Sequence, residues 1–183
     1  MTSRKYHVTN VVQFDKTVFA EVCTQTVSGV LINKLAILMK NTFGTKNYDG
    51  FDRLDTAGFE TVLREDVNSM RGFVLHGYGA GEPDIATCAC TLNVSVDGHG
   101  RHAIMDNVCA YPSGEGIGTS LLQFVEMVCI DHLISRVTCF VVNDVYDTPE
   151  ILHFYKKNGF VDKGVDGYRI RLTRDFPISL KAA

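Results

Sequence analysis

The sequence predicts an α+β fold, a sandwich of helices on a mixed sheet, and three observations carry that prediction. The hydrophobic period changes from helical to strand-like at Arg71. Asp97-Gly98 separates two long apolar runs, a strong hairpin signal. The stretch Val108–Leu122, V-C-A-Y-P-S-G-E-G-I-G-T-S-L-L, then leads from a strand end through a glycine turn into an amphipathic helix.

Taken in order, Tyr6–Phe14 reads as a first strand, with Val8, Val11, Val12 and Phe14 apolar. Thr17–Asn41 has apolar residues at three- and four-residue steps, among them Val18, Val22, Val27, Leu31, Leu35 and Leu38. This predicts a helix, broken near Ser28-Gly29 or split into two. Phe43–Asp55 has turn chemistry, and Ala57–Val67 reads as another short helix. Strands are expected at Gly72–Tyr78, Ile85–Val96 and Arg101–Ala110, the last two forming the hairpin. Simple alternation would put His102, Ile104, Asp106 and Val108 on one face. Helix Thr119–His132 follows the glycines, with Leu121, Leu122, Val125, Val128 and Cys129 as its core stripe. Val137–Val142 is an almost continuous apolar run, as in a strand buried on both faces. Thr148 as N-cap and Pro149 at the first helical position open a last helix, and Asn158-Gly159 closes it. Strands beginning at Phe160 and spanning Tyr168–Leu172 complete the chain, with a turn at Gly164–Gly167. No linker or repeat divides residues 1–183, so one domain is expected.

Bulk properties narrow the class. The chain has 183 residues, 45% hydrophobic and 21% charged, with a net charge of −3. No basic-aromatic array of the kind that grips nucleic acid occurs, so a nucleic-acid partner is not expected. The longest apolar stretch, Val18–Met39, is interrupted by Glu21, Gln25, Asn33 and Lys34, which argues against a membrane span. No secretory signal follows Arg4, Lys5 and His7. Cys23, Cys88, Cys90, Cys109, Cys129 and Cys139 all lie in apolar helix or strand patterns. They are expected to be reduced core thiols, in keeping with a cytoplasmic location. Cys88-x-Cys90 has no second pair to complete a zinc spacing, so no metal is expected. A homodimer stays open.

The chemistry concentrates at Gly114, Gly116 and Gly118. Glycines at alternate positions bring a ligand close to the backbone, and the helix behind them offers free N–H groups and its positive dipole end. Such a site suits a phosphate or pyrophosphate. A Walker A loop needs a lysine directly after the last glycine, where this chain has Thr119-Ser120. A dinucleotide fingerprint needs G-x-G-x-x-G in an early βαβ unit, and here the spacing is G-x-G-x-G after several strands.

From Arg71 to Leu172 the sequence resembles the GCN5-related N-acetyltransferase (GNAT) superfamily. The parts occur in family order: the hairpin, the loop Ser113-Gly114-Glu115-Gly116-Ile117-Gly118, a buried strand, and F-Y-K-K-N-G-F over Phe154–Phe160. The family writes its loop Arg/Gln-x-x-Gly-x-Gly/Ala and its helix Leu/Phe-Tyr-x-x-x-Gly-Phe. Ser113 and Glu115 depart from that pattern, replacing a basic or amide residue and adding a negative charge. The resemblance implies a mostly antiparallel sheet with a β-splay between the strands at 101–110 and 137–142. It implies acetyl-CoA as cosubstrate, its pantetheine arm bonded by Val108, Cys109 and Ala110 like an added strand. Its pyrophosphate would take N–H groups from Ser113, Gly114, Glu115, Gly116, Ile117, Gly118 and Thr119.

The implied reaction is transfer of acetyl from a thioester to a primary amine of a small molecule, such as an amino sugar or polyamine. Tyr155 stands where many members have the tyrosine that protonates the leaving thiolate, and a phenol of pKa ~10 holds its proton at neutral pH. Its alternative is a purely structural core role. The Val108 N–H would stabilise the oxyanion. Asp106 stands where many relatives carry a glutamate that acts as base through water, and it could instead orient the ammonium. An ordinary aspartate of pKa ~3.9 is a weak base, so burial or a water relay is needed. His102 competes as the better base by type. Asn143 and Asp144 could line the same cleft or lie in a loop. The motif order also looks like the glucosamine-6-phosphate acetyltransferases, whose Glu-Asp pair is Met105-Asp106 here. A protein lysine or N-terminal acetyltransferase and an inactive acyl-CoA-binding module are the other readings.

Overall fold

The computed structural model describes residues 8–14, 16–43, 54–143 and 148–178. Eight strands, β1 (Val8–Phe14), β2 (Thr17–Cys23), β3 (Gly72–Gly79), β4 (Ala86–Asp97), β5 (Gly100–Ala110), β6 (Ile134–Val142), β7 (Val161–Asp166) and β8 (Arg169–Asp175), form one sheet. Their spatial order is β1-β2-β3-β4-β5-β6-β8-β7. Neighbouring strands run antiparallel except β5 and β6, which are parallel. Among the described residues four α-helices flank the sheet: α1 (Gly29–Phe43), α2 (Thr56–Ser69), α3 (Ile117–Asp131) and α4 (Thr148–Lys157). The mixed α+β class and the splayed, mostly antiparallel sheet expected from the sequence are both present.

Two cores lie on opposite faces. On one, α1 and α2 bury Leu35, Leu38, Met39, Phe59 and Leu63 against Val74, Ala89 and Cys109. On the other, α3 and α4 cover Phe19, Leu75, Leu92, Met105, Val137 and Leu172 with Leu121, Phe124, Val125 and Tyr155. The predicted α3 stripe of Leu121, Leu122, Val125, Val128 and Cys129 is buried, with Phe124 added.

The N-terminal third corrects the sequence reading. Thr17–Cys23 is a strand, paired to β1 and β3, where a helix was expected. The Val18–Val22 step of four residues fits one helix face, but four is also even, so it fits one strand face equally. The β-branched Thr17, Val18 and Val22 and the pairing on both edges decide for strand. The break foreseen at Ser28-Gly29 is the start of α1, where the Ser28 hydroxyl accepts the Leu31 N–H at 3.1 Å. Asp55 caps α2 likewise, accepting the Gly58 N–H at 2.8 Å. Tyr6 and most of the turn stretch Phe43–Asp55 lie outside the described residues.

The remaining elements differ from expectation mainly at their ends. β6 begins at Ile134 rather than Val137, and α3 begins at Ile117 rather than Thr119. Thr148 lies inside α4, and its hydroxyl donates to the Val142 carbonyl at 3.1 Å. Gly159, at φ 84°, ends that helix as its Asn158-Gly159 signal requires. All six cysteines are free and five are buried. No described helix is long and apolar enough to cross a membrane.

Candidate functional site

The site forms where β5 and β6 part. Their pairing ends at Ile104 opposite Thr138, yet β5 continues to Ala110 and β6 to Val142. The gap is the mouth of a cavity of about 620 Å³. Its walls are the end of β5 from Met105 to Ala110, the loop and first turn of α3, the end of β6, and α4 through Phe154, Tyr155 and Lys157. Met39, Thr42 and Phe43 of α1 close it from the opposite face.

A bulge shapes this end of β5. Thr91 pairs with Asp106 and Ala89 with Cys109, so Asn107 and Val108 together oppose Cys90. Asn107 holds the turn at a left-handed φ of 54°, a conformation asparagine tolerates better than most residues. Its Nδ2 donates to Asp66 Oδ2 at 3.0 Å and to Thr91 Oγ1 at 3.3 Å. The Thr91 hydroxyl in turn donates to the Asp106 carbonyl at 3.2 Å. The extra residue reverses the alternation beyond it. Val108 joins the core of Ala103 and Met105, while Cys109 enters the core of α1 and α2. The expected common face of His102, Ile104, Asp106 and Val108 therefore breaks at the bulge.

The same reversal sets where backbone groups point. The Tyr111 N–H donates to the Thr87 carbonyl at 2.8 Å, toward β4. By the two-residue repeat Cys109 faces β4 as well, and Val108 and Ala110 direct their backbone groups into the gap. Two of the three expected strand contacts thus face the cavity through the backbone. Cys109 borders it while pairing with Ala89.

Beyond the cis Tyr111–Pro112 bond, the glycines do different things. Gly114 and Gly116 have φ of 86° and 79°, and a Cβ on either would meet nothing within 4 Å. They are needed for left-handed backbone in open space. Gly118 instead packs closely, since a Cβ there would lie 3.2 Å from Cζ of Phe154, and that ring would have to give slightly. Gly116 is the N-cap of α3, and no side chain caps that end. Its first-turn amides therefore have no side-chain partner and are open to an anion. Ser113, Gly114, Gly116, Ile117, Gly118 and Thr119 line the cavity, and exposed Glu115 is not among the lining residues. Among the described residues this cradle fits the phosphate groups of acetyl-CoA, and the splay fits its pantetheine arm.

Tyr155 and Asp106 are the titratable groups of this space suited to acid–base chemistry, beside Lys157 and the thiols Cys109 and Cys139. Tyr155 is 7% exposed, edge-on to Phe154 and Phe160 with ring centroids 5.2 Å apart in each case. Burial first, and then the thiols and Asp106 around it, hold its phenol well above the usual tyrosine range. Asp106 lies on the α1–α2 side. Burial and the neighbouring Asp66 carboxylate raise its pKa, and Arg169 opposes them. Its side chain has no hydrogen-bond partner among the described residues. His102 lies four residues back, about 13 Å along an extended strand. It stands 3.5 Å from Asp97 near the hairpin turn and does not line the cavity. Asn143 is exposed and its N–H donates to the Tyr168 carbonyl, whereas Asp144 lies outside the described residues.

Sequence reasoning passed over several lining or supporting residues. Lys157 is one helical turn beyond Phe154, and that spacing was a usable signal. An asparagine amid apolar strand residues marks a bulge in retrospect. The α1 residues, Phe140 and Arg169 carried no local signal.

A mixed sheet splayed over a capless helix and glycine loop defines the class: this is the acyl-CoA N-acyltransferase fold of the GNAT type. Solved structures bear that out. The PaiA N-acetyltransferase from Thermoplasma acidophilum, in complex with coenzyme A, superposes with a TM-score of 0.63 at 15% identity, covering 88% of this chain and 100% of that one. ElaA from Escherichia coli gives 0.62 at 15% identity, covering 86% and 98%. A GNAT family acetyltransferase from Elizabethkingia anophelis with acetyl-CoA bound gives 0.59 at 12% identity, covering 89% and 100%. No family model matches the sequence, and no curated protein does.

Proposed function

We propose that this chain, as one N-acetyltransferase domain, transfers the acetyl group of acetyl-CoA to a primary amine of a small molecule. The observation that carries the reading is the splay itself. Unpaired backbone of Val108 and Ala110, an uncapped α3 and a protonated Tyr155 all converge on one cavity. Acetyl-CoA supplies an activated thioester carbonyl.

The protein's part follows from its geometry. The amides of Ser113–Thr119 receive the pyrophosphate, with Lys157 adding the cation that Ser113 does not provide. Val108 and Ala110 align the pantetheine arm as a strand between β5 and β6. The Val108 N–H points to where negative charge develops on the carbonyl oxygen. Tyr155 holds a proton for the departing sulfur, and burial keeps it protonated across the neutral range. Asp106, its pKa raised, draws in the ammonium and takes its proton directly or through water.

Met39, Thr42 and Phe43 close the acceptor side, which supports a small amine over a polypeptide. Nearness to the glucosamine-6-phosphate acetyltransferases rests on the motif order and on Asp106, half of their Glu-Asp pair, while Met105 in the other position is buried in the opposite core. Five buried free thiols suit the cytoplasm. The test is coenzyme A release from acetyl-CoA with a panel of amino sugars, polyamines and peptides. Release with small amines is expected. Release with peptides alone would redirect the reading to protein acetylation, and acetyl-CoA binding without release to any amine would leave a binding module.

A further inference from the structure

The geometry points to an acceptor that is zwitterionic: an amine carrying a carboxylate or phosphate at its other end, the ammonium met by Asp106 and the anion by Arg169. This rests on the acetyl-transfer reading and names the substrate class of the same cavity. On the face covered by α1 and α2, the described core reaches β3, β4 and β5 but not β6 or β8. There Phe140 of β6 is part of the cavity wall and pairs with Arg171 of β8, while Val142 pairs with Arg169.

Arg169 does not extend at random into solvent. Its guanidinium lies 4.8 Å from the Phe140 ring centroid and 5.4 Å from that of Tyr168, held between two aromatic faces. A stacked guanidinium keeps its edge N–H donors free for a bidentate anion. Elsewhere Arg64, Arg136 and Arg174 each meet a carboxylate, Glu60, Asp175 and Glu126 respectively. Arg169 and Arg171 meet none among the described residues. Continuing the β5–β6 register past Ile104 opposite Thr138 sets Asp106 across the gap from Phe140, its side chain also without a hydrogen-bonded partner among the described residues, and the Arg169 charge opposes the rise in its pKa. A carboxylate in the cavity wall and an exposed guanidinium stacked on Phe140 at its rim complement an ammonium and an anion joined by a short apolar spacer packing on Phe140.

The test uses the full chain saturated with coenzyme A, with acceptor binding read by calorimetry and acetyl transfer read by thiol release. The probes are ω-amino carboxylates of graded length, matched ω-aminoalkyl phosphates and uncharged alkylamines. Binding of the best zwitterion about tenfold tighter than its uncharged counterpart is expected, the scale of one charge-assisted bidentate contact. Arg169→Gln should close most of that gap and Arg169→Lys restore part of it, while Arg136→Gln, whose pair with Asp175 is on the surface, should leave it open. The better of the carboxylate and phosphate series identifies the anion. Equal binding of charged and uncharged tails, or a gap unaffected by Arg169→Gln, overturns this inference even if transfer proceeds. A zwitterion preference without transfer sustains it and overturns the enzymatic reading instead.

Discussion

Asn107 is the residue whose replacement tests the architecture of the site most directly. It holds a left-handed turn and bonds Asp66 and Thr91 at once. Asn107→Gly keeps the backbone conformation and removes both hydrogen bonds. The bond to the half-buried Asp66 carboxylate contributes about 1.5 kcal/mol, the low end for a charged partner, and that to Thr91 about 0.5. A loss of about 2 kcal/mol is expected. Asn107→Ala adds the strain of a Cβ at positive φ, about 1 kcal/mol, for a total near 3. At 2–4 °C per kcal/mol for a chain of this size, the glycine variant should melt about 4–8 °C lower and the alanine variant about 6–12 °C lower. Urea denaturation of the three proteins measures both steps. Acetyl-CoA affinity should fall in the alanine variant more than in the glycine variant, because the bulge aims Val108 and Ala110 into the gap. Equal stability of the glycine and alanine variants, or wild-type stability in either, would refute the keystone role.

Other outcomes follow from the same geometry. Tyr155→Phe preserves the buried ring, so folding and acetyl-CoA affinity should hold while kcat drops by about 10²-fold or more; an unchanged kcat removes the phenol from the acid role. If Asp106 is the base, kcat/KM rises with pH through its raised pKa, and Asp106→Asn should lower the rate and flatten that limb. The stability effect has the opposite sign. A raised carboxyl pKa means the folded state favours the proton, so its contribution is full below the ordinary carboxylate range and is lost as pH rises through the raised value. Asp106→Asn should therefore raise the melting temperature at pH 7, and a lower one would show that the ionised carboxylate is well accommodated. Gly116→Ala should cost about 1 kcal/mol through its positive φ alone. Gly118→Ala should be near neutral in denaturation, since helix propensity worth up to ~1 kcal/mol offsets the approach to Phe154; a large loss would show that ring to be immobile.

What the sequence by itself determined is what short-range chemistry determines. The Asp97-Gly98 hairpin, the glycine cradle, the stripe of α3 and the Thr148–Gly159 helix are each written within a few residues, and each forms about where its signals lie. Family order across the loop and F-Y-K-K-N-G-F added the splay, which composition and periodicity do not contain. Tertiary structure decided the rest. Whether Thr17–Cys23 is helix or strand depended on edges supplied by β1 and β3, because a four-residue apolar step satisfies both periods. Which face Val108 takes depended on one residue inserted opposite Cys90, a register event fixed by pairing with β4 and hinted at locally by Asn107 alone. Asp106 and Phe140 of the cavity wall, and Arg169 stacked on Phe140, come from the three strands β5, β6 and β8, so pairing and splay alone bring them near one another. The opening stretch Val108–Leu122 specifies a cradle for an anion; only the parted strands around it specify what can lie beside that cradle.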